Sequence, residues 1–95
     1  MEKNYSVLRA MPYAQARVIR QPNAIVLISY QTAVAAIIGG CLVVNGLYSA
    51  TTRRHIGAFC REYCGCDYYV AKKCYQEKLC YDIVTKQYAP VILDD

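Results

Sequence analysis

The residues best suited to chemistry are six cysteines. Five of them crowd the second half of the chain as C-x3-C-x-C-x7-C-x5-C, from Cys60 through Cys64, Cys66 and Cys74 to Cys80. Thiolates bind zinc or act as nucleophiles, and a helix would bring Cys60 and Cys64 onto one face. Zinc sites usually carry paired C-x2-C knuckles, and these spacings match no such pattern. The simpler expectation is that Cys41, Cys60 and Cys74 fill buried faces as small apolar residues, that the thiols are reduced, and that neither a structural metal nor another cofactor is bound. The lone histidine, His55, follows Arg53 and Arg54. Nucleophilic catalysis needs a base within hydrogen-bond reach of its nucleophile, but five residues along a helix put His55 and Cys60 on diverging faces. No serine stands in a recognisable elbow, no glycine loop could cradle a phosphate, and no carboxylate pair has a hydrophobic setting. These residues point to a non-enzyme without a small-molecule substrate.

Arg53 and Arg54 are more suggestive. Either Thr51 or Thr52 is a candidate helix cap, which would leave both arginines in the first turn, where the macrodipole disfavours a cation by about 0.3–1 kcal/mol. An anion reverses that sign. Thr51, Thr52, Arg53 and Arg54 are therefore the expected anion site, built from hydroxyls, first-turn amides and two guanidinium forks.

The elements that position these groups are read from the pattern around them. Between Arg20 and Arg53 the chain carries no charge. A spanning helix needs about 20 apolar residues, but Ser29-Tyr30-Gln31-Thr32 interrupts this run and Gly39-Gly40 and Asn45-Gly46 break it again. Short β-branched segments between turn signals argue for strands. The arginines on both sides also give no orienting charge bias. The expected fold is α+β: an antiparallel meander of four to five strands over residues 14–49, near 14–20, 24–30, 33–38 and 41–44, with a last one at Leu47-Tyr48-Ser49. Two helices, at about 51–64 and 67–78, cover one face. Gly65 ends the first in a left-handed conformation and Asp67 caps the second. The tail from Tyr81 to Leu93 reads as extended, with Asp94 and Asp95 solvated. At 95 residues this is one domain, with residues 1–13 expected as a mobile segment. Met1 to Tyr5 lacks the apolar core of a signal peptide, so a cytoplasmic location is expected.

The stretch from Ala24 to Tyr63 carries Leu27-Ile28-Ser29-Tyr30, glycine-punctuated strands, Asn45-Gly46-Leu47-Tyr48-Ser49 and Thr51-Thr52-Arg53-Arg54-His55-Ile56. It resembles a family of small uncharacterised domains found in bacteria, phages and plasmids. The resemblance implies a compact α+β unit in a mobile-element setting and transfers no activity or catalytic residue.

Function then rests on surface chemistry. Ten tyrosines inflate the apolar share of 56%, and half-exposed tyrosines suit an interface. Residues 51–78 hold six Lys or Arg against three acids, most of the net charge of +4. That limited excess and a pI near 8.8 fall short of a strong nucleic-acid signature. The expectation is a non-catalytic binding protein with a protein partner, by analogy an inhibitor of a host or defence machine as anti-CRISPR proteins are. Its contact surface would include Arg53, Arg54, Arg61, Tyr63, Tyr68 and Tyr69. The alternatives are a nucleic-acid binder using the basic helices and a small membrane protein, and self-association is compatible with each.

Overall fold

In the computed structural model, which describes residues 5–91, the uncharged run is divided among three strands rather than coiled into one helix. Strands β1 (Ala16–Gln21), β2 (Ala24–Ser29), β3 (Thr32–Ile38) and β4 (Cys41–Val44) form the meander. Helix α1 (Ala50–Phe59), a π-helical turn (Cys60–Cys64) and helix α2 (Tyr68–Glu77) follow, and β5 (Leu79–Asp82) and β6 (Gln87–Pro90) complete the sheet. All six strands are antiparallel and lie side by side in chain order. No helix among the described residues is long and apolar enough to cross a membrane.

The turns explain the register. Gly39 and Gly40 take φ of +57° and +81°, the left-handed pair that matches a two-residue hairpin to strand twist. Pro22-Asn23 closes the β1–β2 hairpin, with Gln21 opposite Ala24. Between β2 and β3, Leu27 faces Ala35 while Ile28 faces Ala33, so Val34 is an extra residue in a bulge. Val34 and Ala35 are consequently both buried.

Side-chain alternation supplies one core. Ala16, Val18, Leu27, Ile37, Leu42 and Tyr81 from the sheet join Ile56, Phe59, Cys60 and Ala71 from the helical layer in a single buried cluster. Ile19, Val26, Ile28, Ala36 and Val43, at the alternate positions, are half-buried. Apolar residues on both faces of the strands are what gave the run its membrane-like hydropathy.

Three expectations are corrected. Leu47-Tyr48-Ser49 is not a strand: it leads off the sheet, and Ser49 caps α1 by accepting the Thr52 amide at 3.2 Å. Neither Thr51 nor Thr52 is the cap. The extended tail is instead the β5–β6 hairpin, turned at Asp82, whose carboxylate accepts the Val84 and Thr85 amides at 2.9 Å each; those bonds hold its carboxyl below the usual range. Part of the N-terminal segment is described as well: Ser6 and Val18 exchange two backbone hydrogen bonds of 2.8 Å, and Leu8 is fully buried. Residues 1–4 of that segment, and Asp94 and Asp95, lie outside the described residues.

Candidate functional site

Spacing along one helical stripe creates the clearest surface feature. Arg53, Gly57 and Arg61 follow at intervals of four, and the missing side chain at Gly57 leaves a shallow groove of about 410 Å3 lined by Met11, Arg53, Arg54, Gly57, Arg61 and Tyr68. A Cβ on Gly57 would sit 3.4 Å from the Tyr68 Cβ and 3.5 Å from a terminal nitrogen of Arg61. All three arginines are exposed, and none makes an ion pair among the described residues. Tyr69, 71% exposed, adjoins the groove through an edge-on contact with Tyr68 at 5.8 Å.

The groove gathers Arg53, Arg54, Arg61 and Tyr68, with Tyr69 at its margin, and leaves Tyr63 elsewhere. Tyr63 packs on Phe59 at 5.2 Å, beneath the Arg20 guanidinium at 5.6 Å. It lines a second groove with Arg9 and Glu62, which pair at 3.8 Å. The anion site changes in composition. Because α1 begins at Ala50, Arg53 closes its first turn and Arg54 falls beyond it, and the Arg53 amide is spent on the Ser49 carbonyl at 3.0 Å. The Thr52 hydroxyl points into the core. What is left for an anion is the guanidinium groups and the groove beneath them.

Thr52 belongs to a buried polar chain that sequence reasoning missed. Its hydroxyl lies 2.9 Å from that of Ser29, which lies 2.8 Å from His55 Nδ1, and Ser49 donates to Thr52 at 3.4 Å. Ser29, Thr52 and His55 are no more than 4% exposed. The arrangement that pairs each hydroxyl hydrogen runs Ser49 to Thr52 to Ser29 to His55, with Nδ1 as the acceptor and the neutral ring's proton on Nε2. Burial lowers the His55 pKa below its ordinary value, in keeping with that neutral form. A serine bonded to a histidine has the outline of a nucleophile and base. This pair, however, lines none of the surface grooves described and bridges β2 to α1 from within the core.

The cysteines divide into two groups. Cys60 and Cys74 are buried as expected, but Cys41 is half-buried on β4, where burial and then the neighbouring Cys80 push its thiol up. Cys60, Cys64 and Cys66 converge, their sulfurs all within 4.8 Å of one another. The π-helical turn carries the first two, and Gly65 at φ +63° reverses the chain so that the Cys66 amide bonds the Cys60 carbonyl at 3.3 Å. Thiol hydrogen bonds to Cys64 and Cys66, together with burial, raise the Cys60 pKa strongly. Cys66, the acceptor from Cys60, is lowered. Burial, followed by the charges of Cys80, Cys66 and Cys64, pushes Cys74 up to about 11.

A model of a family of unknown function (DUF8033) matches residues 2–78, and the chain belongs to that family. The match is wider than the 24–63 stretch that carried the resemblance and takes in the N-terminal segment and both helices. No curated protein and no solved structure matches the chain.

Proposed function

We propose that this DUF8033 chain is a non-catalytic binding module whose arginine groove takes an acidic segment of a protein partner. The observation that carries the reading is the grouping of Arg53, Arg54 and Arg61, unpaired among the described residues, around a floor of Met11, Gly57 and Tyr68. Guanidinium forks recognise carboxylates in bidentate geometry, and arginine and tyrosine are the residue types enriched at interface hot spots. An apolar, concave floor between cations suits an acidic peptide with one apolar anchor.

Nucleic acid is the less favoured partner because a single-strand platform stacks successive bases on exposed aromatic rings. Of the tyrosines on the helices, Tyr63 is engaged by Phe59 and Arg20 and Tyr68 is half-buried, which leaves Tyr69 and Tyr75 exposed, and Tyr75 does not line the arginine groove. The mobile-element setting implied by the resemblance makes a host or defence protein the natural class of partner. A cytoplasmic location goes with that reading.

The test is capture from nuclease-treated lysate with the wild-type chain and with the double variant Arg53→Glu, Arg54→Glu. A defined protein retained by the wild type, lost by the folded double variant, and displaced by a glutamate-rich peptide supports the proposal. Steeply salt-dependent binding of a single-stranded oligonucleotide, with no protein captured, refutes it.

A further inference from the structure

We infer that Cys60, Cys64 and Cys66 form a three-thiolate site for Zn2+, open to a fourth ligand on the side of Cys66. Three observations converge on it, none of which involves the arginine groove. The first is distance. Zinc–sulfur bonds of about 2.3 Å in a tetrahedron hold sulfurs about 3.8 Å apart, and the three sulfurs already lie within 4.8 Å of one another. The sulfur separations need to close by no more than about 1 Å to reach that tetrahedron.

The second is the backbone that gathers them. A π-helical turn is rare, and where it interrupts an α-helix it is frequently at a functional site. Here it spans Cys60–Cys64, two of the three thiols bracket it, and the left-handed Gly65 immediately after it folds Cys66 back over Cys60. Cysteines that only filled space would need neither device, as Cys74 illustrates on the regular helix α2.

The third is access. Cys60 and Cys64 are buried while Cys66 is half-buried, so a cation enters from one side and meets that sulfur first. As each Zn–S bond forms, the thiol concerned releases its proton to solvent, so three protons leave and the site carries one negative charge. No fourth His, Cys, Asp or Glu among the described residues joins the group of three, and the fourth position is assigned to water or to a donor from a partner. Unpaired C-x3-C-x-C spacing hid this site, since the usual knuckle geometry assumes a turn between paired ligands rather than a widened helix.

The experiment uses the full chain, purified in a non-thiol reductant, with Zn2+ titrated against a chromophoric chelator and Co2+ as a spectroscopic probe. One metal per chain and an intense thiolate-to-Co2+ charge-transfer band are expected. Supporting partners of metal ligands already contribute about 10–100-fold to affinity, so Cys66→Ser should weaken Zn2+ binding by at least about 100-fold. Cys66 is the least buried of the three, which makes this variant the one best placed to keep the metal-free fold, and Cys80→Ser is the control that leaves affinity unchanged. Absence of uptake, a Co2+ spectrum without the thiolate band, or equal affinity in Cys66→Ser would overturn the inference.

Discussion

Ser29→Ala removes one oxygen from the middle of the buried chain and leaves the backbone untouched. Two bonds go with it, at 2.9 Å to Thr52 and 2.8 Å to His55 Nδ1. A hydrogen bond contributes about 0.5–1.5 kcal/mol net, while a buried group left unpaired costs about 1–3 kcal/mol. Thr52 keeps its contact with Ser49, whereas no second partner for Nδ1 is described, so the expected loss is about 2–4 kcal/mol. A chain of this size has about 5–14 kcal/mol of stability in total. At about 4–8 °C per kcal/mol, the melting temperature should fall by about 10–30 °C. Urea and thermal unfolding at pH 7.5 provide the measurement, and a variant within about 0.5 kcal/mol of wild type would refute the network's role. The same network fixes a pH dependence. Its His55 pKa is lowered by burial, so the unfolded chain binds more protons in the acid range. Stability is then fully present above the unfolded value of about 6.5 and falls below it, by at most about 1.4 kcal/mol per pH unit. His55→Gln, which cannot titrate, should flatten that limb below about pH 6.5.

Three further substitutions test other parts of the structure. Gly57→Ala places a methyl at ordinary contact distance from Tyr68 and Arg61; with the helix-propensity gain it should stabilise the chain by about 0.5–1 kcal/mol in urea melts, and a loss would show that the groove floor is tighter than described. Leu8→Ala should cost about 2–5 kcal/mol, because Leu8 is fully buried; a negligible change would mean that the N-terminal segment is not part of the core. Gly65→Ala must hold a side chain at φ +63°, costing about 1–2 kcal/mol by the same melts; an unchanged midpoint would refute the need for a left-handed residue there.

The meander was legible because its signals are local: β-branched segments, a Gly-Gly pair that can supply positive φ, and an aspartate ahead of α2. Gly65 was legible for the same reason. The last hairpin was not, since Ile83-Val84-Thr85-Lys86 contains no glycine and Lys86 itself takes φ of +61°. Three hydroxyl residues within four positions, Ser49, Thr51 and Thr52, leave the cap ambiguous until packing turns Thr52 inward. The site residues divide in the same way. Arg53, Arg54 and Arg61 are visible as charges on one helix, but the groove depends on Gly57 and on Met11 arriving from the N-terminal segment. The Ser29–His55 contact spans 26 positions and depends on how α1 crosses β2. Convergence of the thiols requires a π-helical turn, for which the sequence offers no established pattern.

Strand order that repeats chain order has a consequence for assembly. Each hairpin of the meander pairs residues near in sequence, so β1 to β4 can zip with little loop-closure entropy, and small chains dominated by local contacts fold quickly. One strand pairing departs from this: β4 meets β5 across both helices, through Cys41 with Asp82 and Leu42 with Tyr81, extended by the Ile83 amide to the Gly40 carbonyl at 3.1 Å. The β5–β6 hairpin lies beyond the residues matched to the family and is held by that short pairing and its packing against α2. It should therefore be the last part to dock and the first to open. In native-state hydrogen exchange its amides should lose protection by a sub-global route, while Leu27 and Leu42 exchange only when the whole chain unfolds.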